Sequence, residues 1–131
     1  MHFRQYDLAC LSLYSYMIGD TTSGRAVVVD PQRDISEYVS DANIHGLTIE
    51  RVIETHFHAD FLSGHLELAH ATGAVISYGS VARPDFDIEP LADGQILSLG
   101  KVDLEQCPPG ANRGAGPICG SFRAPFCMKN A

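Results

Sequence analysis

At 131 residues the chain is long enough for one domain around one core, and its 45% apolar and 19% charged residues are ordinary for a globular protein. A formal net charge of -7 excludes the basic surface that nucleic acid requires and an electrostatic dock on anionic lipid. No run nears the roughly 20 apolar residues of a membrane span, so neither nucleic acid nor membrane is an expected partner.

Phe3 to Ile18 reads as one or two strands, with Tyr14, Tyr16 and Ile18 on one face and Ser15 on the other. Leu8 to Ile18 follows Arg4 in the manner of a secretory signal. Asp7, Ser12 and Ser15 break its apolar character, and no small-residue cleavage site follows. The expected compartment is therefore the cytoplasm, where Cys10, Cys107, Cys119 and Cys127 are not a disulfide framework. Gly19 to Gly24 is a turn cluster. Arg25 to Val29 is a short β-branched run, expected as a buried strand that Asp30-Pro31 ends. Asp34 is placed to cap a helix whose core positions are Ile35, Tyr38, Val39 and Ala42, with Gly46 as its stop. Thr48 to Thr55 is the next strand, centred on Val52 and Ile53. Leu62, Leu66 and Ala69 mark one face of a second helix closed by Gly73. Ala74 to Tyr78 is another strand, and Ile96 to Leu104 a hairpin turning at Gly100-Lys101. Strands and helices alternate, which gives an α/β layered domain with helices packed on a sheet. There is no glycine-rich phosphate signature and no internal repeat.

Composition breaks near residue 105. All 16 acidic residues lie at or before Glu105, and beyond it stand three cysteines and four of the 7 prolines. Residues 1–105 are thus expected as the domain and residues 106–131 as loop or disorder. Three readings of the tail stand side by side: a flexible segment, a cysteine site for zinc, and a shifted reading of the gene. Cys107, Cys119 and Cys127 lack the paired close spacing of structural zinc sites, and a frameshift fits the abruptness of the change best.

Chemistry concentrates at residues 55–65. Alternate side chains of a strand share a face, so His56 and His58 point the same way if strand geometry persists, with Asp60 two further on. Two imidazoles and a carboxylate at the C-terminal edge of a sheet suit zinc, iron or manganese. A bare His-x-His is more often surface polarity. The aspartate, the preceding β-branched strand and the following helix start favour a metal. His65, just past Gly64, is either a group that orients a ligand or a histidine on the helix flank. His70 is expected in solvent, and His2 and His45 suggest no partner. Asp30 either bonds to a ligand or to loop backbone at the same sheet edge, or caps the Asp-Pro turn.

The run Val52 to His65, with Thr55-His56-Phe57-His58-Ala59-Asp60-Phe61 followed by Ser63-Gly64-His65, resembles the first metal motif of the metallo-β-lactamase superfamily. Tyr16 to Asp20 and Ala26 to Pro31 resemble its opening strands. The likeness covers about residues 6–105 and is greatest to the persulfide dioxygenase-like branch, beside glyoxalase II. It implies the N-terminal half of an αββα sandwich, a mixed sheet with flanking helices. It also implies one divalent metal, zinc or iron(II), with His56 and His58 as ligands and Asp60 as ligand or orienting base. In persulfide dioxygenases only the position of His56 among these three is a direct ligand. The implied substrate is a small thiol-derived compound such as glutathione persulfide or a glutathione thioester.

The departures carry equal information. Dinuclear members have histidine after the motif aspartate, where this chain has Phe61. The family also needs a later histidine after Pro-Gly, but here Pro108-Pro109-Gly110 leads to Ala111, and no histidine follows His70. The resemblance therefore implies either a truncated enzyme or a non-catalytic fragment with a weak metal site. A half sandwich is expected to leave one apolar sheet face exposed and prone to self-association.

Overall fold

The computed structural model describes residues 1–8, 13–55, 63–78 and 84–106, and the backbone of 126–130. Five strands form the main sheet in the order β1 (His2–Leu8), β2 (Leu13–Asp20), β3 (Arg25–Val29), β4 (Thr48–Ile53) and β5 (Val75–Ser77). β1–β2 and β2–β3 pair antiparallel, while β3, β4 and β5 are mutually parallel. Parallel neighbours need a crossover, and helices α1 (Ser36–Ile44) and α2 (His65–Thr72) supply the two. This is the mixed sheet that the resemblance implies, with helices packed on it as the alternating pattern predicts. Among the described residues no helix is long and apolar enough to cross a membrane.

Both faces of the main sheet are covered. On one, Met17, Ala26, Val28 and Val52 pack with Tyr38 and Ala42 of α1 and Leu68 of α2. On the other, Tyr16, Ile18, Val27, Val29 and Ile53 pack with Leu91, Leu99, Val102 and Leu104. Val102 and Leu104 belong to a second sheet, β6 (Ile96–Ser98), β7 (Val102–Gln106) and β8 (Phe126–Asn130), and Leu99 to the turn between β6 and β7. The expected bare apolar face is thus corrected, since these residues are buried against a second layer. Continuous valine in β3 follows directly, because a strand buried on both sides has no polar face to alternate with.

The second sheet contains the expected hairpin, with β6 and β7 antiparallel across Gly100-Lys101. Strand β8 departs from the loop expected of the tail: its backbone pairs antiparallel with β7, Leu104 opposite Met128. The cysteine-zinc reading rests on Cys107, Cys119 and Cys127; the first two lie outside the described residues, as does 107–125 as a whole, and of Cys127 only the backbone is described.

Helix boundaries differ from expectation in instructive ways. Asp34 does not occupy the cap position of α1, which falls to Ile35. Its carboxylate instead accepts from the Ser36 backbone N–H at 3.0 Å and the Ser36 hydroxyl at 2.6 Å, one residue upstream of a standard cap. Gly46 does stop the helix: at φ 63 it takes the left-handed conformation, and Leu47 N–H reaches back to the Ala42 carbonyl at 2.7 Å. In α2 the buried position is Leu68, whereas Leu66 is 49% exposed, so the apolar face expected from Leu62, Leu66 and Ala69 is in the wrong phase.

A buried aspartate ties the two sheets together at their hairpins. Asp20, at the end of β2, accepts from Lys101 N–H at 2.7 Å and Thr22 N–H at 2.9 Å. The Lys101 N–H foremost, then Thr22, holds its carboxyl below the usual carboxylate value of 3.8. A carboxyl with a depressed folded-state value contributes stability above its unfolded pKa and loses it as pH falls through the folded value. Stability of the wild type is therefore expected to fall below about pH 4, and Asp20→Asn to flatten that acid limb in urea titrations at stepped pH. An unchanged pH slope in the variant excludes Asp20 as a contributor.

Candidate metal centre

Strands β3 and β4 end side by side, with Val29 in register with Ile53. The residues that follow them, Asp30 and Glu54-Thr55, thus meet at the C-terminal edge of parallel strands, where α/β proteins commonly bind ligands. Asp30 N–H donates to the Ile53 carbonyl at 2.8 Å. Its carboxylate then accepts twice from Thr55, from the backbone N–H at 2.8 Å and from the hydroxyl at 2.6 Å. Of the alternatives for Asp30, bonding to loop backbone is the one observed. It holds φ 47, the left-handed region, which aspartate tolerates better than most side chains.

Strand β4 ends at Ile53, two residues short of expectation, and the chain bends at Thr55. Among the described residues, strand alternation therefore ends at Ile53. His56, His58 and Asp60 lie outside the described residues. No group of three or more metal-capable side chains occurs among the described residues.

The return stem of the loop is fixed as firmly as the outgoing one. Gly64 N–H donates to the Pro31 carbonyl at 3.0 Å, and the Ser63 hydroxyl lies 3.1 Å from the same oxygen. The Ser63 hydroxyl also contacts Glu54 Oε1. Glu54 is a carboxylate with 0% side-chain exposure, and its N–H donates to the Ser77 carbonyl at 2.9 Å. His65 Nδ1 stands 3.3 Å from Glu54 Oε1, with the ring 5.1 Å from that of Phe86 and 6.3 Å, edge on, from that of Tyr78. Its side chain is 14% exposed, so the helix-flank reading gives way to a largely buried group. His70, by contrast, is exposed as expected.

Two further observations were not signalled by the sequence. Burial foremost, then the carboxylates of Glu54 and Asp30, pushes the Tyr78 hydroxyl up to about 12. Burial, then Tyr14 and Asp30, pushes Tyr16 up to about 12 as well. The base of the loop is thus a buried, electronegative neighbourhood. Away from it, the His2 and His45 rings pair at 4.1 Å, a partnership with no sequence signal. Glu54 and Ser63 were the site residues passed over. An acidic residue ending a β-branched strand and a serine before a helix were the available hints.

Residues 9–113 match the family model described as the metallo-beta-lactamase superfamily. The mitochondrial persulfide dioxygenase ETHE1 of Bos taurus is 34% identical over 117 residues, covering 83% of this chain and 42% of the relative. The hydroxyacylglutathione hydrolase of Pelagibacter ubique is 39% identical over 80 residues, covering 57% of this chain and 32% of its own length. Among solved structures, a metallo-beta-lactamase from Staphylococcus aureus has a TM-score of 0.74 at 31% identity, covering 82% of this chain and 35% of that one. ETHE1 from Myxococcus xanthus has a TM-score of 0.71 at 28% identity, covering 80% and 47% respectively. The chain therefore spans less than half the length of each of these relatives.

Proposed function

Because this chain belongs to the metallo-β-lactamase superfamily, we propose that it binds one divalent metal ion through His56, His58 and Asp60 and acts on a small glutathione-derived persulfide or thioester. The observation that carries this reading is the anchoring of Thr55 by Asp30. It starts the histidine-bearing loop at the C-terminal edge of the parallel strands.

The donor set fits a borderline divalent ion. Two neutral imidazoles and a carboxylate are common zinc and iron(II) ligands, and the Asp30 and Glu54 carboxylates at the loop base favour positive charge nearby. When bound, such an ion supplies a Lewis acid for a sulfur-bearing substrate and its co-reactant, dioxygen or water. The chain's own residues do the holding. His56 and His58 are assigned as ligands, Asp60 as ligand or orienting base, and Asp30 as the group that positions Thr55. Zinc or iron(II), and residence in the cytoplasm, are parts of this proposal.

A second reading has its own support. Catalytic metal sites usually hold three protein ligands and an open position, and His56, His58 and Asp60 reach that number with none in reserve. Ala111 stands after Pro109-Gly110, where the family pattern has histidine. The chain is then a non-catalytic fragment that keeps a weak metal site. On either reading residues 1–105 belong to the family domain, and the change of composition after Glu105 supports a shifted reading frame for residues 106–131. The nucleotide sequence after codon 105 tests the latter, since an alternative frame encoding Pro-Gly-His supports it.

Elemental analysis of the pure chain is expected to give one equivalent of divalent metal, lost in His56→Ala. Equal metal in both removes the assigned site. On the fragment reading, persulfide-dependent oxygen consumption and glutathione thioester hydrolysis are expected to be low. Robust turnover in either assay rejects the fragment reading and supports the enzyme.

A further inference from the structure

We propose that Glu54 and His65 are positioning residues that hold the two ends of the metal loop together and thereby set its affinity for the ion. This rests on the reading that the loop binds metal. The placement is specific: Glu54 precedes residues 55–62, and Ser63 and His65 follow them. One oxygen, Glu54 Oε1, meets both return residues, the Ser63 hydroxyl directly and His65 Nδ1 at 3.3 Å. His65 N–H in turn donates to Ser63 Oγ at 3.3 Å. The stems of the loop thus converge on a single carboxylate.

That carboxylate is costly to keep. Its side chain has no solvent exposure, and burying a charge is unfavourable unless its partners are well placed. The His65 ring is similarly committed, since it packs against Phe86 and Tyr78 with 14% of its side chain exposed, and Nδ1 faces the Glu54 carboxylate. An apolar pair of the same size fills such a space at least as favourably. What the polar pair adds is a fixed separation between residues 54 and 65. A loop with fixed ends samples fewer conformations, and so loses less entropy when its side chains converge on an ion.

The full chain titrated with cobalt(II), whose visible absorption reports binding, provides the test. His65→Phe keeps the aromatic packing and removes Nδ1. Its affinity is expected to fall roughly 10- to 100-fold, the usual effect of groups that orient metal ligands. His65→Asn returns an N–H near the Nδ1 position and is expected to recover most of the loss. A merely structural role lowers Tm in both variants and leaves the affinity of the folded chain at the wild-type value, which overturns the proposal. Should His65→Phe fail to fold, the comparison passes to Glu54→Gln, where wild-type affinity also overturns it. Failure of the underlying reading looks different. The wild type then binds no cobalt, or His56→Ala binds as well as wild type, and the clamp falls with the site.

Discussion

Gly64→Ala is expected to destabilise the chain by about 3 kcal/mol, because the added methyl has no room. A Cβ there lies 2.1 Å from the Gln32 carbonyl oxygen, 2.9 Å from Ile35 Cγ2 and 3.1 Å from the Gln32 carbonyl carbon. The nearest atom is backbone, and that backbone is held. Gln32 N–H donates to the Tyr38 hydroxyl at 2.8 Å, which donates to Ser15 Oγ at 2.8 Å inside the sheet-helix core. Gly64 is equally fixed by its N–H on the Pro31 carbonyl and its own carbonyl on Leu68 N–H at 2.8 Å. Relief therefore requires α2 to move away from residues 31–35, loosening Leu68 and shifting His65. A thermal melt followed by far-UV circular dichroism is expected to show Tm lower by on the order of 10 °C. Gly73→Ala is the informative control. It has φ 73 but no atom within 4 Å of the added methyl, so only backbone strain of about 1 kcal/mol opposes it. Equal losses in the two variants rule out crowding at Gly64 as the cause.

What could be read from the sequence was mostly local. The valine run of β3, the stop at Gly46 and the turn at Gly100-Lys101 each follow from a few adjacent residues, and all three stand in the structure. So does the placement of Asp30 beside the loop, because parallel neighbours end on the same edge. The phase of α2 failed for a simple reason. Counting from Leu62 assumed a helix already under way there, but the helix starts at His65, and two turns are too short for periodicity to reset the count. The end of β4 failed because the Thr55 N–H goes to the Asp30 carboxylate, a partner far away in sequence, rather than to a strand carbonyl. The second apolar layer, Leu91 with Leu99, Val102 and Leu104, is likewise non-local. The motif was therefore legible, while the surroundings that hold it were not. His65 illustrates the division: the residue was noticed, but its burial depends on Phe86 and Tyr78, which no spacing rule connects to it.

Asp30→Ala is expected to cost about 3 kcal/mol, most of it from the two bonds to Thr55. The substitution leaves the Thr55 N–H without its acceptor at a part-buried position and removes the partner of its hydroxyl. It also places alanine at φ 47, a conformation that costs an L-residue roughly 1 kcal/mol or more. Two companions separate these contributions. Asp30→Gly relieves the backbone conformation and still lacks the acceptors, so the gap between Gly and Ala measures strain. Asp30→Asn keeps a carbonyl oxygen for the Thr55 N–H and an amide group beside the hydroxyl, so only the charge-assisted part is lost, about 1 kcal/mol. Urea midpoints at constant slope are expected to rank wild type, Asn, Gly, then Ala. Thr55→Val, combined with Asp30→Ala in a double-mutant cycle, isolates the hydroxyl bond. If Ala matches wild type, the carboxylate does not anchor Thr55, and the loop must take its position from the Glu54 and Ser63 side alone.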